Sequence, residues 1–313
     1  MERVLITGGT GFVGSNFVYK FLELGYEAHL IVRENSNLKR IESIMDRVLL
    51  HTVDLFNERE VVECVQKIQP TIILHFAAYG AYPARQKETR ATIDTNVLAT
   101  INLLHACNKL SFKCFINAGS SSEYGEKDHP MTEDELTEPN GLYGVTKVAS
   151  TLYCNYFAKK FDLPIITARL FSPYGYFDNE HRLMPSIIRS ALNNEVFNAP
   201  SPSPVRDFIF IEDVMSAYLK IIENANSIKG QVFNIASGVQ RSIGDVVAIM
   251  EEITNRRINV VYGRVGINQH EPKMWVADIS KIQRTLEWAP QTTLKDGLKK
   301  NIEWSLKHPT LYE

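Results

Sequence analysis

Tyr143 and Lys147 stand four residues apart, and Ser120 lies upstream of them in the stretch Gly119-Ser120-Ser121-Ser122-Glu123-Tyr124-Gly125. Residues four apart share one face of a helix. A free phenol titrates near ~10, and an ammonium one turn away favours the phenolate, so the pair suits proton exchange near neutrality. A small hydroxyl at a strand end can hydrogen-bond a substrate oxygen and polarise it for hydride transfer. Taken singly, each feature is common, as an amphipathic helix with a buried tyrosine or as a serine-rich turn. A third feature joins them. The chain opens with Val4-Leu5-Ile6-Thr7-Gly8-Gly9-Thr10-Gly11-Phe12-Val13-Gly14, an apolar strand followed by glycines at 8, 11 and 14. Such a turn lets the backbone approach a pyrophosphate at the start of the next helix, where Phe12 and Val13 stand. The three features in this order point to redox chemistry on a nicotinamide dinucleotide.

Positioning these groups requires a particular scaffold. Apolar runs at Val4 to Thr7, Ala28 to Val32, Val48 to Val53, Thr71 to Phe76, Phe112 to Ala118 and Ile165 to Leu170 read as strands. Between them lie helical patterns, to about Leu24 and at Glu58 to Lys67, Asp94 to Leu110 and Tyr143 to Phe161. That alternation predicts an α/β fold: a doubly wound parallel sheet with helices on both faces. After Ser172 the rhythm becomes irregular, and Pro200, Pro202 and Pro204 mark an extended loop. Val205 to Val214 and Gln231 to Ala236 are strand-like, which predicts a return to the sheet. The expected organisation is a dinucleotide-binding domain over 1–172 with return segments near 205–240. A smaller, discontinuous α/β substrate domain then takes 173–204 and 241–313 and covers the strand ends, where ligands bind in such folds.

Composition narrows the classes. With 313 residues, 44% hydrophobic and 22% charged, the chain can bury a large core. Its net charge of -2 gives no general attraction for nucleic acid or an anionic membrane. Cys64, Cys107, Cys114 and Cys154 are scattered without a short spacing, so they read as reduced structural thiols, and no metal site is expected. No basic leader precedes the first strand, and no apolar run approaches the roughly 20 residues that span a bilayer. A cytoplasmic location is expected.

The second strand ends in Arg33, where a dinucleotide fold commonly places an acid for the ribose 2′-hydroxyl. A guanidinium can instead pair with a 2′-phosphate, and Ser36, Lys39 and Arg40 follow as further donors. NADP(H) is favoured and NAD(H) is the alternative; an ordinary solvated loop is the bland explanation.

Several motifs in sequence order now resemble one family. They are Thr7-Gly8-x-x-Gly11-x-x-Gly14, Asp54-Leu55, His75-Phe76-Ala77-Ala78, Asn96, the serine-rich loop, Tyr143-Gly-x-x-Lys147, Arg206 to Val214, Phe233 to Gly238, and Ala277 to Lys281 followed by Leu286 to Pro290. Together they look like the extended short-chain dehydrogenase/reductases, and more narrowly their NAD(P)-dependent nucleotide-sugar epimerase/dehydratase/reductase branch, over almost the full length. The resemblance implies a Rossmann domain and assigns Ser120, Tyr143 and Lys147 as the catalytic set, with Ser121 as fallback for Ser120. It implies Gly8, Gly11, Phe12, Val13, Gly14, Arg33, Asp54, Leu55, Ala77, Ala78, Asn96 and Lys147 as dinucleotide contacts, with Asp54 capping adenine. Ser121, Ser122, Ser172, His181, Arg206 and His270 fall where the sugar nucleotide would bind, Arg206 matching the arginine that grips its diphosphate. For Asp213 and His181 the plainer roles, a helix N-terminal acid and a histidine lining the cleft, weigh at least as much.

Two departures separate the chain from parts of that branch. The branch's 4,6-dehydratases carry an Asp-Glu pair directly after the catalytic Thr, and here Ser121 and Ser122 stand instead. Ser172 replaces an asparagine in Arg169-Leu170-Phe171-Ser172-Pro173-Tyr174-Gly175, and Gln269-His270 stand where a second diphosphate arginine is expected. The resemblance therefore implies hydride transfer at C4 of a nucleotide-bound sugar, by a 4-keto reductase or 4-dehydrogenase. A 4-epimerase that retains its cofactor is the nearest alternative; a dehydratase or a non-catalytic dinucleotide sensor is less favoured. Apolar residues in excess on Asp94 to Leu110 and Tyr143 to Phe161 correspond to a four-helix homodimer interface in the resembling proteins.

Overall fold

The computed structural model describes residues 1–81, 88–263 and 272–309. Its centre is a seven-stranded sheet built from β1 (Arg3–Thr7), β2 (Glu27–Val32), β3 (Val48–Thr52), β4 (Ile72–His75), β5 (Cys114–Ser120), β6 (Ile165–Leu170) and a late strand Val232–Ile235. In space the order is β3-β2-β1-β4-β5-β6 and then the late strand, and every pairing is parallel. The order reverses between β1 and β4, and the crevice beyond their carboxyl ends is where such a sheet receives ligand. Strands buried on both faces must be continuously apolar, as Val4-Leu5-Ile6 and Ile72-Ile73-Leu74 are, all at zero exposure.

Helices α1 (Phe12–Glu23), α2 (Glu58–Ile68), α3 (Thr89–Ile93), α4 (Ala99–Cys107) and α5 (Leu142–Phe161) supply the crossovers. Between α3 and α4 the helix widens into one π-turn over Asp94–Leu98. In α5 the buried residues Lys147, Ser150, Thr151, Cys154, Phe157 and Ala158 recur at helical spacing. That stripe faces β5 and β6 and carries Lys147 into the sheet. All four cysteines are free, three of them buried. No helix among the described residues is long and apolar enough to cross a membrane.

Later elements are β7 (Ser172–Tyr174), α6 (Leu183–Asn193), β8 (Phe197–Ala199), β9 (Val205–Phe210), α7 (Ile211–Asn224), β10 (the strand Val232–Ile235), β11 (Gln240–Ser242), α8 (Ile243–Thr254), β12 (Val260–Tyr262), α9 (Ser280–Leu286) and α10 (Leu294–Lys307). The expectation for 205–214 needs correction twice. Only Val205–Phe210 is a strand, because Glu212 and Asp213 in the next turn favour a helix N-terminus and α7 starts at Ile211. Moreover β9 joins β7 and β11 in a separate three-stranded sheet, whereas β10 does extend the main sheet beside β6. Its apolar residues meet Tyr174 and Tyr176, with Phe210 5.4 Å from each ring centroid, so the strand is satisfied away from the parallel sheet.

Candidate active site

At the end of β1 the backbone turns through Gly8, whose φ is +68°. A Cβ there would sit 2.7 Å from the Ala77 nitrogen, and one on Gly14 would sit 2.2 Å from the Gly8 carbonyl oxygen. Both contacts are with backbone, which cannot give way, so only glycine lets β1, α1 and the end of β4 meet this closely. Gly14 is buried in the first turn of α1 against the Gly8 backbone, so its lack of a side chain serves packing. Gly11 caps α1 without a side-chain hydrogen bond, and no acid stands in the first turn. The amides of Phe12 and Val13 thus head a helix whose positive end faces the cleft.

From that turn one continuous cleft runs across the strand ends. Its first part is lined by Gly8, Thr10, Gly11, Arg33, Ser36, Asp54, Leu55, Ala77 and Ala78, among others. Arg33 is exposed at its rim, where its backbone N–H donates to Ser36 Oγ at 2.9 Å. The middle chamber, of about 510 Å³, is bounded by Phe12, Val13, Ser120, Ser121, Ser122, Tyr143, Lys147, Ser172, Arg182, Arg206 and Trp275. That is within the size of small-molecule sites. Ser172, Arg182 and Arg206 also line an outer lobe with His181 and Phe208. A larger hollow, of about 1000 Å³ between Tyr19, Arg40 and Trp304, contains none of the expected catalytic or substrate residues, though Lys39 and Arg40, expected as further donors beside Arg33, line it.

Within the chamber, α5 is pressed onto the serine loop because Gly144 has no side chain; a Cβ would meet the Ser122 carbonyl oxygen at 2.4 Å. The helix therefore starts beside Ser120 and brings Tyr143 to the same chamber. Lys147 Nζ donates to the Ala118 carbonyl at 2.6 Å and lies 5.9 Å from the centre of the Tyr143 ring. Burial lowers the lysine pKa from 10.5 to about 8, against the opposing pull of Glu123 and Cys154. His75 is pushed down to about 3 by burial and then by Lys147, so it is neutral, hydrogen-bonded to Thr7 and Thr100.

Some expected site residues have other duties. Asn96 is buried in the π-turn and lines none of the described cleft. Its amide accepts from the Tyr79 N–H and donates to the Tyr79 carbonyl and to Thr146 Oγ1, so it clamps the segment after β4 to α5. His181 reaches only the outer lobe, with its side chain 82% exposed. His270 lies outside the described residues. Ser121 Oγ accepts from Trp275 Nε1 at 3.2 Å, and Arg206 packs 5.7 Å from the Trp275 ring. Sequence reasoning missed Trp275, for it stands in no periodic pattern, and placed Arg182 beside His181 only where resembling proteins keep a basic or proton-transferring residue. Arg182 is held by buried Asp178 at 2.9 Å and lies over Phe12, joining the first turn of α1 to the outer lobe. Asp213 accepts from the backbone N–H groups of Gln291 and Thr292 and so ties down the approach to α10.

A glycine-lined turn at the switch point, leading to a chamber that gathers Ser120, Tyr143 and Lys147, defines a dinucleotide-dependent enzyme of the short-chain type. The chain belongs to the NAD dependent epimerase/dehydratase family, whose model matches residues 4–236. It is 27% identical to the CDP-paratose 2-epimerase of Salmonella typhi, over 97% of this chain and 99% of that protein. With the dTDP-glucose 4,6-dehydratase of Neisseria meningitidis serogroup B it shares 24% identity over 100% and 96% of the two chains. Among solved structures, the UDP-glucuronic acid 4-epimerase of Bacillus cereus, in complex with UDP-glucuronic acid and NAD, superposes with a TM-score of 0.86 at 27% identity, over 97% and 99% of the two chains. The chain is therefore an enzyme family member whose relatives act on nucleotide sugars.

Proposed function

We propose that this protein transfers hydride between a nicotinamide dinucleotide and C4 of a nucleotide-bound sugar, as a 4-keto reductase or 4-dehydrogenase. The observation that carries this is the convergence of Ser120, Tyr143 and Lys147 on one chamber whose described lining contains no Asp or Glu. A dinucleotide held along the first part of the cleft would supply or accept the hydride. The close-packed glycine turn, the uncapped head of α1 and the walls at Asp54, Leu55, Ala77 and Ala78 fit it. Tyr143 exchanges the proton with the sugar oxygen, Ser120 polarises that oxygen, and the Lys147 ammonium favours the phenolate. Arg182 and Arg206, both on the wall shared by the chamber and the outer lobe, suit the diphosphate, and Ser121, Ser122 and Ser172 the sugar hydroxyls.

Water elimination across C5 and C6 needs an acid and a base beside the sugar. Glu123, the nearest carboxylate in sequence, is fully buried in an ion pair with Arg169, which speaks against a 4,6-dehydratase. Arg33 and Ser36 at the rim support NADP(H), and with it net reduction; the NAD-bound epimerase neighbour supports the second reading, a 4-epimerase that keeps NAD(H) in place. The sugar nucleotide would lie between the dinucleotide-binding part, 1–172 with segments near 205–240, and the substrate part, 173–204 and 241–313. Leu152 and Tyr156, 62% and 51% exposed on the outer face of α5, support a homodimer through a four-helix bundle, and the free cysteines support a cytoplasmic setting.

The test is to incubate purified protein with UDP-, GDP-, CDP- and dTDP-sugars, their 4-keto forms and either dinucleotide. A lasting change in nicotinamide absorbance establishes the oxidoreductase. Inversion at C4 by NMR without that change establishes the epimerase. Dinucleotide binding without turnover, unaltered by Tyr143→Phe, would leave a sensor.

A further inference from the structure

Behind the chamber wall is a charge that the proposed chemistry does not use. Glu123 has no solvent exposure and ends the single 3₁₀ turn Ser121–Glu123 that follows β5. Its Oε1 accepts the Ser120 backbone N–H at 2.8 Å, and its Oε2 accepts Arg169 Nε at 2.8 Å. Ser120 Oγ in turn accepts the Ser122 N–H at 3.1 Å, closing a reciprocal capping box. Gly119 provides the space, since a Cβ there would lie 2.7 Å from Oε1 and 3.0 Å from Arg169 Cγ. Arg169 is fixed from its other sides, over the Tyr124 ring at 4.5 Å and donating to the Glu133 carbonyl at 3.4 Å.

Burying an ion pair is a poor way to add stability, because desolvation offsets the attraction and apolar side chains of similar size do as well. The position of this pair gives it another use. One carboxylate oxygen holds the backbone of the serine that would polarise the substrate. The same charge acts on Lys147, whose Nζ is bound to Ala118 two residues earlier on that strand. Of the other titratable groups around the lysine, His75 of β4 is neutral and the Cys154 thiol of α5, pushed up to about 12 by burial, carries no charge near neutrality, while the Tyr143 phenol of α5, its ring centre 5.9 Å from Nζ, is the proton-exchanging partner itself.

We propose that Glu123 is a positioning residue of the reaction, fixing Ser120 through its backbone N–H and setting a negative charge against the Lys147 ammonium, with Arg169 locking the carboxylate in place. This rests on the oxidoreductase reading of the chamber. Glu123→Gln keeps an oxygen to accept the Ser120 N–H but removes the charge; Glu123→Ala removes both. In Glu123→Ala, kcat falls about a hundredfold with KM unchanged, the size of effect that displacing a catalytic group by about 1 Å produces. Glu123→Gln recovers most of kcat at pH 7, while the alkaline limb of its pH profile moves down by about one pH unit, because Lys147 loses its proton earlier. A purely structural role would lower the yield of folded protein and leave kcat and the limb of the folded fraction where they were. An unmoved limb in Glu123→Gln, or wild-type kcat in Glu123→Ala, overturns the proposal.

If the single variants do not fold, Glu123→Gln with Arg169→Gln removes both members of the buried ion pair together. A downward displacement smaller than that of Glu123→Gln is expected of it, because a positive charge leaves with the negative one, and an unmoved limb counts against the proposal. Should the wild type bind a dinucleotide yet turn over no sugar nucleotide, the oxidoreductase reading fails on its own. The titration of Lys147, followed by NMR of 13C-labelled lysine and assigned with Lys147→Met, then decides: a lower midpoint in Glu123→Gln supports the pairing, and an equal midpoint overturns it.

Discussion

Lys147 is expected to weaken the fold that it serves. Its ammonium is 97% removed from solvent, with an exposure of 3%, and its pKa falls from 10.5 to about 8, chiefly through burial. At ~1.4 kcal/mol per pH unit, that fall means a destabilisation of about 3 kcal/mol wherever both folded and unfolded chains carry the proton. The cost is full below pH 8. It is relieved as pH rises from about 8 towards 10.5, because the folded protein has then released a proton that the unfolded chain still holds. Lys147→Met removes the charge and also the hydrogen bond to the Ala118 carbonyl, which offsets about 1 kcal/mol. The variant should therefore be more stable than wild type by about 2 kcal/mol at pH 7, a few degrees in Tm, while losing turnover. Urea unfolding of dinucleotide-free protein, followed by far-UV circular dichroism between pH 7 and 10, measures this; bound dinucleotide must be removed because it stabilises the folded state by mass action. The difference should shrink steadily above pH 8. A variant less stable than wild type at pH 7, or a difference that stays constant to pH 10, would refute the reasoning.

Gly14→Ala places a methyl 2.2 Å from the Gly8 carbonyl oxygen, so calorimetry should show dinucleotide binding lost in protein that still folds. Arg33→Asp should move the preference between NADP(H) and NAD(H) towards the latter by roughly ten- to a hundredfold in kcat/KM, the worth of one charged hydrogen bond; an unchanged ratio would show that Arg33 touches no 2′-phosphate. Leu152→Arg, at a position 62% exposed on α5, should convert a dimer to a monomer in light scattering without altering circular dichroism, and a monomeric wild type would remove the dimer reading.

The parts of the site that could be read from the chain are those where local geometry decides. The glycine ladder is legible because a strand-to-helix turn tolerates no Cβ at Gly8 or Gly14, whatever the rest of the protein does. Tyr143 and Lys147 are legible because α5 puts residues four apart on one face. Asn96 and Glu123 show the opposite case. One belongs to a recognisable motif and the other interrupts a serine loop, yet what each binds comes from elements 17 and 46 residues away. Spacing along the chain does not show whether an amide or carboxylate will face the cleft or be consumed in holding it together.

The strands show the same limit. Val205–Phe210 has the apolar character of a strand, but which sheet it enters depends on the rings it meets, not on its own residues. The sequence by itself determined the parallel sheet, the glycine turn and the shared helix face of Tyr143 and Lys147, since those follow from periodicity and backbone sterics, while the family resemblance singled out Ser120. Only the tertiary structure decided that Glu123 is sealed behind Ser120, that Trp275 and Arg182 close the chamber, and that Lys147 gives up much of its affinity for a proton. Burial and long-range partners set those properties, and both exist only once the chain has closed on itself.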